Sequence, residues 1–363
     1  MVALWPGGSR EPELGFGPSG ETEKGKIEAV ESRMCPPPTQ GTCVDAEVRL
    51  LSGSGEGATV PVQLSSGGPS PEFSVGDQVR VAEVRYGNAE PVYSVVDFER
   101  RAPMLWLAIA FVLLVVLFGR LRGALSLVGL GTSLVIVLAF IVPAIIAGEP
   151  PLLVAIVGSM AVMLVTISLA HGLGPKSLAA MLGTTVSLVL VGVLAVVFTG
   201  LTNLTGFSSE EASLLAVGNS DISISGLLVA GIIIGALGVL DDVTISQSST
   251  VMALRAADPK QSFRRLYGRA IEVGRDHVSA TVNTLVLAYV GSSLPVLLVF
   301  GSGELGLVDA ANLEIVAKEI VATLVGSIGL IAAVPITTAL AAWMTDSLSE
   351  AELREAAEGG HHH

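Results

Sequence analysis

The sequence predicts a polytopic α-helical membrane protein, with about seven transmembrane helices and a small N-terminal all-β domain of the OB-like barrel type. Three observations lead there. Hydrophobic residues make up 51% of the 363 and charged residues only 15%, which lies outside the range of ordinary soluble domains. Residues 1–102 are polar, acidic and rich in Gly, Pro and Ser, whereas 103–345 are almost continuously apolar; the break marks the main domain boundary. Within the apolar part, Asp241 and Asp242 interrupt a run from Gly226 to Leu254 that meets no basic residue before Arg255. About 20 apolar residues span a bilayer core, and a carboxylate at its centre costs roughly 2.5–3.5 kcal/mol on insertion scales. Such groups persist where they face a protein interior or a wet cavity, and there they mark an ion or solute route.

Residues 1–42 form an N-terminal segment. The opening MVALWPGG is too short for a span or an export signal. A membrane anchor or signal ahead of this segment is therefore expected, because the charge pattern below places the β domain outside. Cys35 and Cys43 bracket a Pro-rich loop, with no histidine or second cysteine pair nearby. That is too few ligands for a metal site, so a disulfide in an oxidising, extracytoplasmic location is expected. Residues 43–100 follow as the β domain. The stretches TCVDAEVRLL, ATVPVQL, DQVRVAEVRY and PVYSVVDFE alternate in the manner of short strands between Gly, Ser and Pro clusters. With only Phe73, Tyr86, Tyr93 and Phe98 as aromatics, this domain reads as a structural or docking module rather than a stacking platform for ligands. The net charge of −13, with no basic cluster in the polar domain, argues against nucleic acid as a partner.

The helical domain, 101–346, contains apolar segments near 103–119, 123–147, 152–171, 178–200, 223–250, 277–300 and 314–345. Basic residues fall in alternate connections: Arg120 and Arg122, then Lys176, then Arg255 to Arg275. The intervening loops carry Glu149, Glu210, Glu211, Asp221, Glu304 and Asp309 and no Lys or Arg. Positive charge marks the cytoplasmic side, so the β domain is expected outside and the C-terminus inside. Residues 347–363 are a cytoplasmic tail that ends in what resembles the start of an expression tag.

The polar centre lies in the fifth segment. On a helix, Asp242, Ser246, Ser249 and Ala253 share one face, and Asp241, Thr244 and Ser248 form the adjacent stripe. Upstream, Gly231, Gly235 and Gly238 allow a close helix approach. At about 1.5 Å per residue the segment is long for one span, so a strong tilt or a break near Gly238 and Asp241 is expected. In the sixth segment Glu272, Asp276 and Asn283 share a face, with Tyr289 nearby. Asp242 and Asp276 are the expected pair around a shared cation or proton site, with Asp276 alternatively pairing with a basic neighbour at the surface. Between the two segments, Gln261 to Val273 form a basic amphipathic stretch expected to lie on the inner leaflet. Pro335, Thr337 and Thr338 are expected to kink the last segment.

The run AGIIIGALGVLDDVTISQSS, followed by VGRDHVSATVNTLVLAYVG, together with GPKSLAAMLGT and the barrel ending in VVDFERR, resembles the YibE/YibF-like family of bacterial membrane proteins. The likeness extends over about 43–345. It puts the family's aspartate at Asp242, its serine at Ser246 and its other polar positions at Asp276, Asn283 and Tyr289. Asp241 departs from the pattern, which has an apolar residue there. The resemblance implies a multi-pass protein of the bacterial cell membrane with a membrane helix before the β domain. It implies topology rather than chemistry.

No Walker loop, HExxH or GxSxG motif is present, so neither an enzyme nor a cofactor is expected. The leading expectation is a secondary transporter (permease) of a small solute or ion, coupled to a cation or proton at Asp242, with Ser246, Asp241, Asp276, Asn283 and Tyr289 around it. The competing expectation is a membrane assembly protein whose outer β domain docks a partner. Expected partners are the lipid bilayer, a small solute or cation, and a second copy of the chain.

Overall fold

The computed structural model describes residues 22–35, 42–53, 55–66, 71–84, 92–218, 222–301 and 306–346, with isolated positions at Leu4, Leu348 and Leu353. Asp221, Glu304 and Tyr86, and most of the N-terminal segment and C-terminal tail, lie outside the described residues. The chain divides into two compact units: Gly15–Leu114, which takes in the start of the first helix, and Val115–His363 together with Met1–Leu14.

The first unit holds five strands: β1 (Glu23–Met34), β2 (Thr42–Leu50), β3 (Thr59–Ser66), β4 (Gln78–Val84) and β5 (Val92–Phe98). They pair antiparallel in the order β3-β2-β1-β4-β5. β3 and β5 approach at the open edges, leaving a nearly closed barrel. Alternation drives the folding: Ile27, Val48, Leu50, Val60, Val62, Val79 and Val81 point inward and bury almost completely. β1 lies upstream of the boundary at residue 43, inside the stretch assigned from sequence to an N-terminal segment. Its charged residues, Glu28, Glu31 and Arg33, mask the alternation. β1 is nevertheless the central strand, pairing with β2 along most of its length and with β4 at its start. Cys35 and Cys43 form a disulfide that closes the β1–β2 loop. Phe73 stacks on Phe98 at 4.5 Å and both pack with Tyr93 against the barrel core. At the end of β5, Arg100 donates to Asp97 at 2.5 Å. That hydrogen bond, together with one from the Phe98 N–H, holds the Asp97 carboxyl below the usual range.

The second unit is helical. α1 (Arg101–Ile136) continues through a π-helical turn (Val137–Ile141) into α2 (Val142–Ile146). There follow α3 (Pro151–His171), α4 (Pro175–Leu201), α5 (Glu210–Gly218), α6 (Ile224–Ala257), α7 (Phe263–Ser292), α8 (Leu294–Gly301), α9 (Leu307–Asn312) and α10 (Glu314–Thr345). Local chemistry sets the ends. Prolines open α3 and α4 at positions whose N–H would be unpaired anyway. Ser223 caps α6 by accepting the Gly226 N–H at 3.1 Å. Five helices among the described residues are long and apolar enough to cross a membrane, or six if α7 and α8, bent by 64°, are one span.

This count differs from seven because Arg101–Ile146 runs as one helical stretch, broken at Arg120, whose backbone is non-helical (φ 50, ψ −133). The chain bends sharply at this break. A Cβ on Gly123 would sit 2.3 Å from the Val115 carbonyl oxygen, whereas residues so separated in a straight helix lie about 12 Å apart along the axis.

α3, α4, α6 and α10 share one apolar core. α10, the most enclosed of the apolar helices, lies antiparallel to α4: Gly183 faces Thr337, and Gly329 faces Val191. α6 is continuous across Gly238 and Asp241, correcting the expected break; its backbone stays internally bonded while its polar side chains reach neighbouring helices. α10 likewise continues through Pro335. The basic amphipathic stretch is not a separate interfacial helix but the first half of α7. Leu266 and Ala270 are buried there, while Arg264, Arg265 and Arg269 are exposed.

The α4–α10 approach is testable. A Cβ on Gly183 would lie 2.1 Å from Thr337 Oγ1 and 3.2 Å from its Cα. Gly183→Ala is expected to destabilise by about 1–3 kcal/mol through overpacking. Thr337→Ala, which removes the nearest atom, should recover part of the loss in melting temperature; additive losses would refute the contact.

Candidate functional site

Burial divides α6 lengthwise. Leu237, Leu240, Thr244, Gln247, Ser248, Val251 and Arg255 are buried, with Asp241 half-buried among them. Gly231, Gly235, Gly238, Asp242, Ser246 and Ala253 form the exposed stripe. The side chains of the inward face bond outward from α6 to four neighbours. Thr166 of α3 donates its hydroxyl to Asp241 Oδ2 at 3.0 Å, and Asp241 Oδ1 is enclosed with no hydrogen-bond partner. Thr244 donates to the Asp241 carbonyl at 3.1 Å and pairs with Thr184 of α4 at 2.6 Å. Since the Thr244 proton is committed to the carbonyl, Thr184 is the donor in that pair. Gln247 donates through Nε2 to Thr338 Oγ1 of α10 at 2.7 Å and to the Ala270 carbonyl of α7 at 2.9 Å. Ser248 donates to the Lys176 carbonyl at the start of α4, at 2.8 Å. Near the end of α6, Arg255 is bonded to Thr345, Gln261 and Asp346.

The residues expected at one shared site stand in four places. Asp241 faces the bundle interior against α3. Asp242 and Ser246 lie on the exposed stripe, where Asp242 interacts electrostatically with His171 at the end of α3. Asp276 and Asn283 are on the exposed face of α7, with no hydrogen bond or ion pair among the described residues. Tyr289 is half-buried between α7 and the core; its hydroxyl lies 3.6 Å from where a Gly235 Cβ would be, within electrostatic reach of Glu319.

The grouping around Asp242 and Asp276 does not assemble within one chain, for a periodic reason. Neighbouring helical residues point about 100° apart, so one of Asp241 and Asp242 must leave the interior. The large residues Ile233, Leu237 and Leu240 take the buried side and carry Asp241 with them. The apolar residues of α7 decide its orientation in the same way: Ile271, Val278 and Val282 pack on Val243 and Leu330, turning Asp276 and Asn283 outward. Thr166 and Thr184 were not legible as site residues. Each is a hydroxyl in an apolar helix, where hydroxyls commonly bond their own backbone, as Thr185 does to the Met181 carbonyl.

Buried hydroxyls without partners line the same bundle: Ser159, Ser177, Ser187, Thr199, Ser327 and Thr337. Among the described residues no three His, Cys, Asp or Glu side chains converge to hold a metal ion.

Fold and site together define a helical protein with membrane-compatible apolar helices, a five-stranded antiparallel barrel ahead of them, and an interior carboxylate in a hydroxyl-rich bundle. Residues 107–347 match the family described as YibE/F-like protein, and the chain belongs to that family. No curated protein and no solved structure matches it.

Proposed function

We propose that this protein is a secondary transporter of a small solute or ion, resident in the bacterial cell membrane, in which Asp241 carries the coupling cation or proton. One observation carries the reading. The Asp241 carboxyl is held between α3 and α6 with one oxygen on Thr166 and the other enclosed and unpartnered. An enclosed carboxylate oxygen without a donor is costly, and a proton or a small cation on Oδ1 removes that cost. Unpartnered hydroxyls elsewhere in the same bundle, such as Ser159 and Ser187, supply neutral oxygens of the kind a dehydrated solute or water needs. Asp241 thus replaces Asp242 as the coupling residue.

The accompanying topology has seven crossings, with Arg120 as the turn between the first two and α7 with α8 as the sixth. Length supports this: Arg101–Ile146 is 46 residues, about 69 Å as one rod against a hydrocarbon core of about 30 Å. In this topology the barrel is outside, and the connections bearing Arg120, Lys176 and Arg255 to Arg275 are inside.

The test is thermal stabilisation of the purified chain by mono- and divalent cations across a pH series. A bound ion raises the melting temperature by mass action. The reading fails if no cation and no pH change shifts it.

A second reading, an assembly protein, is favoured by the exposed stripe of α6. Glycines followed by Asp242 and Ser246 make a poor face for lipid and a good one for another helix. Oxidative cross-linking of Ser246→Cys is expected to join two copies on this reading; a monomer-only product counts against it.

A further inference from the structure

α7 turns a heptad seam away from the bundle. Its core side is set by the buried Leu266, Ala270 and Gly274. On the opposite side Arg265, Arg269, Glu272, Asp276, Ser279 and Asn283 are all exposed. Their spacing alternates four and three residues, and Val286 and Val290, 37% and 44% exposed, continue it. That is the repeat by which one helix packs along another of its kind. The side chains of Arg269, Glu272, Arg275, Asp276 and Asn283 make no hydrogen bond or ion pair among the described residues.

Depth makes this exposure costly. Gln247 of α6 donates to the Ala270 carbonyl and lies against Gly274, while Gly235 of α6 faces the Tyr289 hydroxyl. Asp276, Ser279 and Asn283 fall between these two contacts. They therefore stand level with residues 235–247, the middle of a helix long and apolar enough to cross a membrane. A carboxylate and an amide facing lipid at that depth are unfavourable, and another helix relieves them.

We infer that this face of α7 binds a second copy of the chain, α7 against α7. The inference rests on the membrane reading and not on transport. Copies in one bilayer share an orientation, so a two-fold axis along the membrane normal sets the two helices parallel. Same-numbered residues then stand at one level, and each seam side chain enters a hole formed by four residues of the facing helix. For Arg269 that hole includes Glu272 of the other copy. For Asp276 it includes Arg275 of the other copy. The two-fold repeats both pairs, so charges left without partners in one chain compensate each other across two. This balance of cations and anions, in register with itself, selects a second copy as the occupant. Asn283 meets its counterpart, where one amide donates to the other's carbonyl, and an asparagine at such a position fixes the register of the pair.

The experiment is cysteine cross-linking of the full chain in membranes, with dimer affinity in detergent read by native mass spectrometry. Cys35 and Cys43 are bonded to each other and are the chain's two cysteines, so an introduced cysteine is the free thiol. Oxidation of Ser279→Cys is expected to give a covalent dimer. Thr284→Cys, exposed at the same depth but off the seam, should stay monomeric. Asn283→Leu should weaken the dimer by roughly tenfold. Arg269→Glu and Glu272→Arg, each alone, should do the same, because each sets like charges face to face. Mixing copies that carry one with copies that carry the other should restore affinity, since the opposite charges then meet only between the two. A monomer from Ser279→Cys, equal yields from both cysteines, or no recovery on mixing overturns the inference. A Ser279→Cys product with a different protein gives the face to that protein and overturns the second copy. Asn283→Cys serves if Ser279→Cys fails to fold. A dimer through the α6 stripe is read separately from Ser246→Cys, and ion binding from Asp241→Asn, so each conclusion can fail alone.

Discussion

Asp241→Asn abolishes the cation- or pH-dependent rise in melting temperature of the purified protein, and Asp242→Asn keeps it. This is the largest functional effect expected of a single atom change here. Asparagine preserves the shape, and its carbonyl oxygen accepts the Thr166 hydroxyl as the carboxylate does. What disappears is the charge and the protonatable oxygen on the enclosed side. Affinity for the stabilising ion should fall at least tenfold, equivalent to about 1.4 kcal/mol. The variant without added ion should melt at or above wild type, since a neutral amide is less costly to enclose than a carboxylate. Asp242 is exposed, so its amide variant loses only an electrostatic contact with His171. Measuring both variants against the same ion panel separates the two residues. Loss of the response in Asp242→Asn alone would move the ion site from Asp241 to Asp242 on the exposed stripe of α6.

Arg255→Met produces the largest loss of stability, about 2–4 kcal/mol, by breaking a buried charged network. Arg255 is 6% exposed and joins three pieces of chain. Its Nε donates to Thr345 Oγ1 at the end of α10 at 3.0 Å, one terminal nitrogen donates to the Gln261 carbonyl before α7 at 2.8 Å, and the other pairs with Asp346. Gln261 reinforces the corner by donating to the Leu254 carbonyl at 2.6 Å. Methionine fills the volume of the stem but supplies no donor, so the Gln261 carbonyl loses its partner. Asp346 is 54% exposed and regains water, which keeps the loss at the lower end of that for a fully buried pair. The measurement is the melting temperature in detergent. Hydrogen exchange should show the ends of α6 and α10 opening first, and a change below about 0.5 kcal/mol would mean that the network is dispensable.

The two residues illustrate different legibility. Asp241 announces itself as a carboxylate in an apolar run. Arg255 follows that run immediately, where sequence alone reads it as a cytoplasmic surface charge. Its burial depends on Thr345 and Asp346, about ninety positions away in the chain.

Local and compositional properties were settled by the sequence itself: the apolar helical segments and the alternating strands β2 to β5. These follow from hydrophobic periodicity and turn chemistry, which act over a few residues. β1 escaped because its exposed side is charged on a central strand. Tertiary structure alone decided which of two adjacent carboxylates faces inward, that α6 stays continuous, and that Asp276 and Asn283 turn away from it. Each of these depends on the rotation of one helix against several others. Burial of Ile233, Leu237 and Leu240 on α6, and of Val278 and Val282 on α7, sets that rotation. Asp241 therefore meets Thr166 of α3, a residue to which no spacing in the chain connects it.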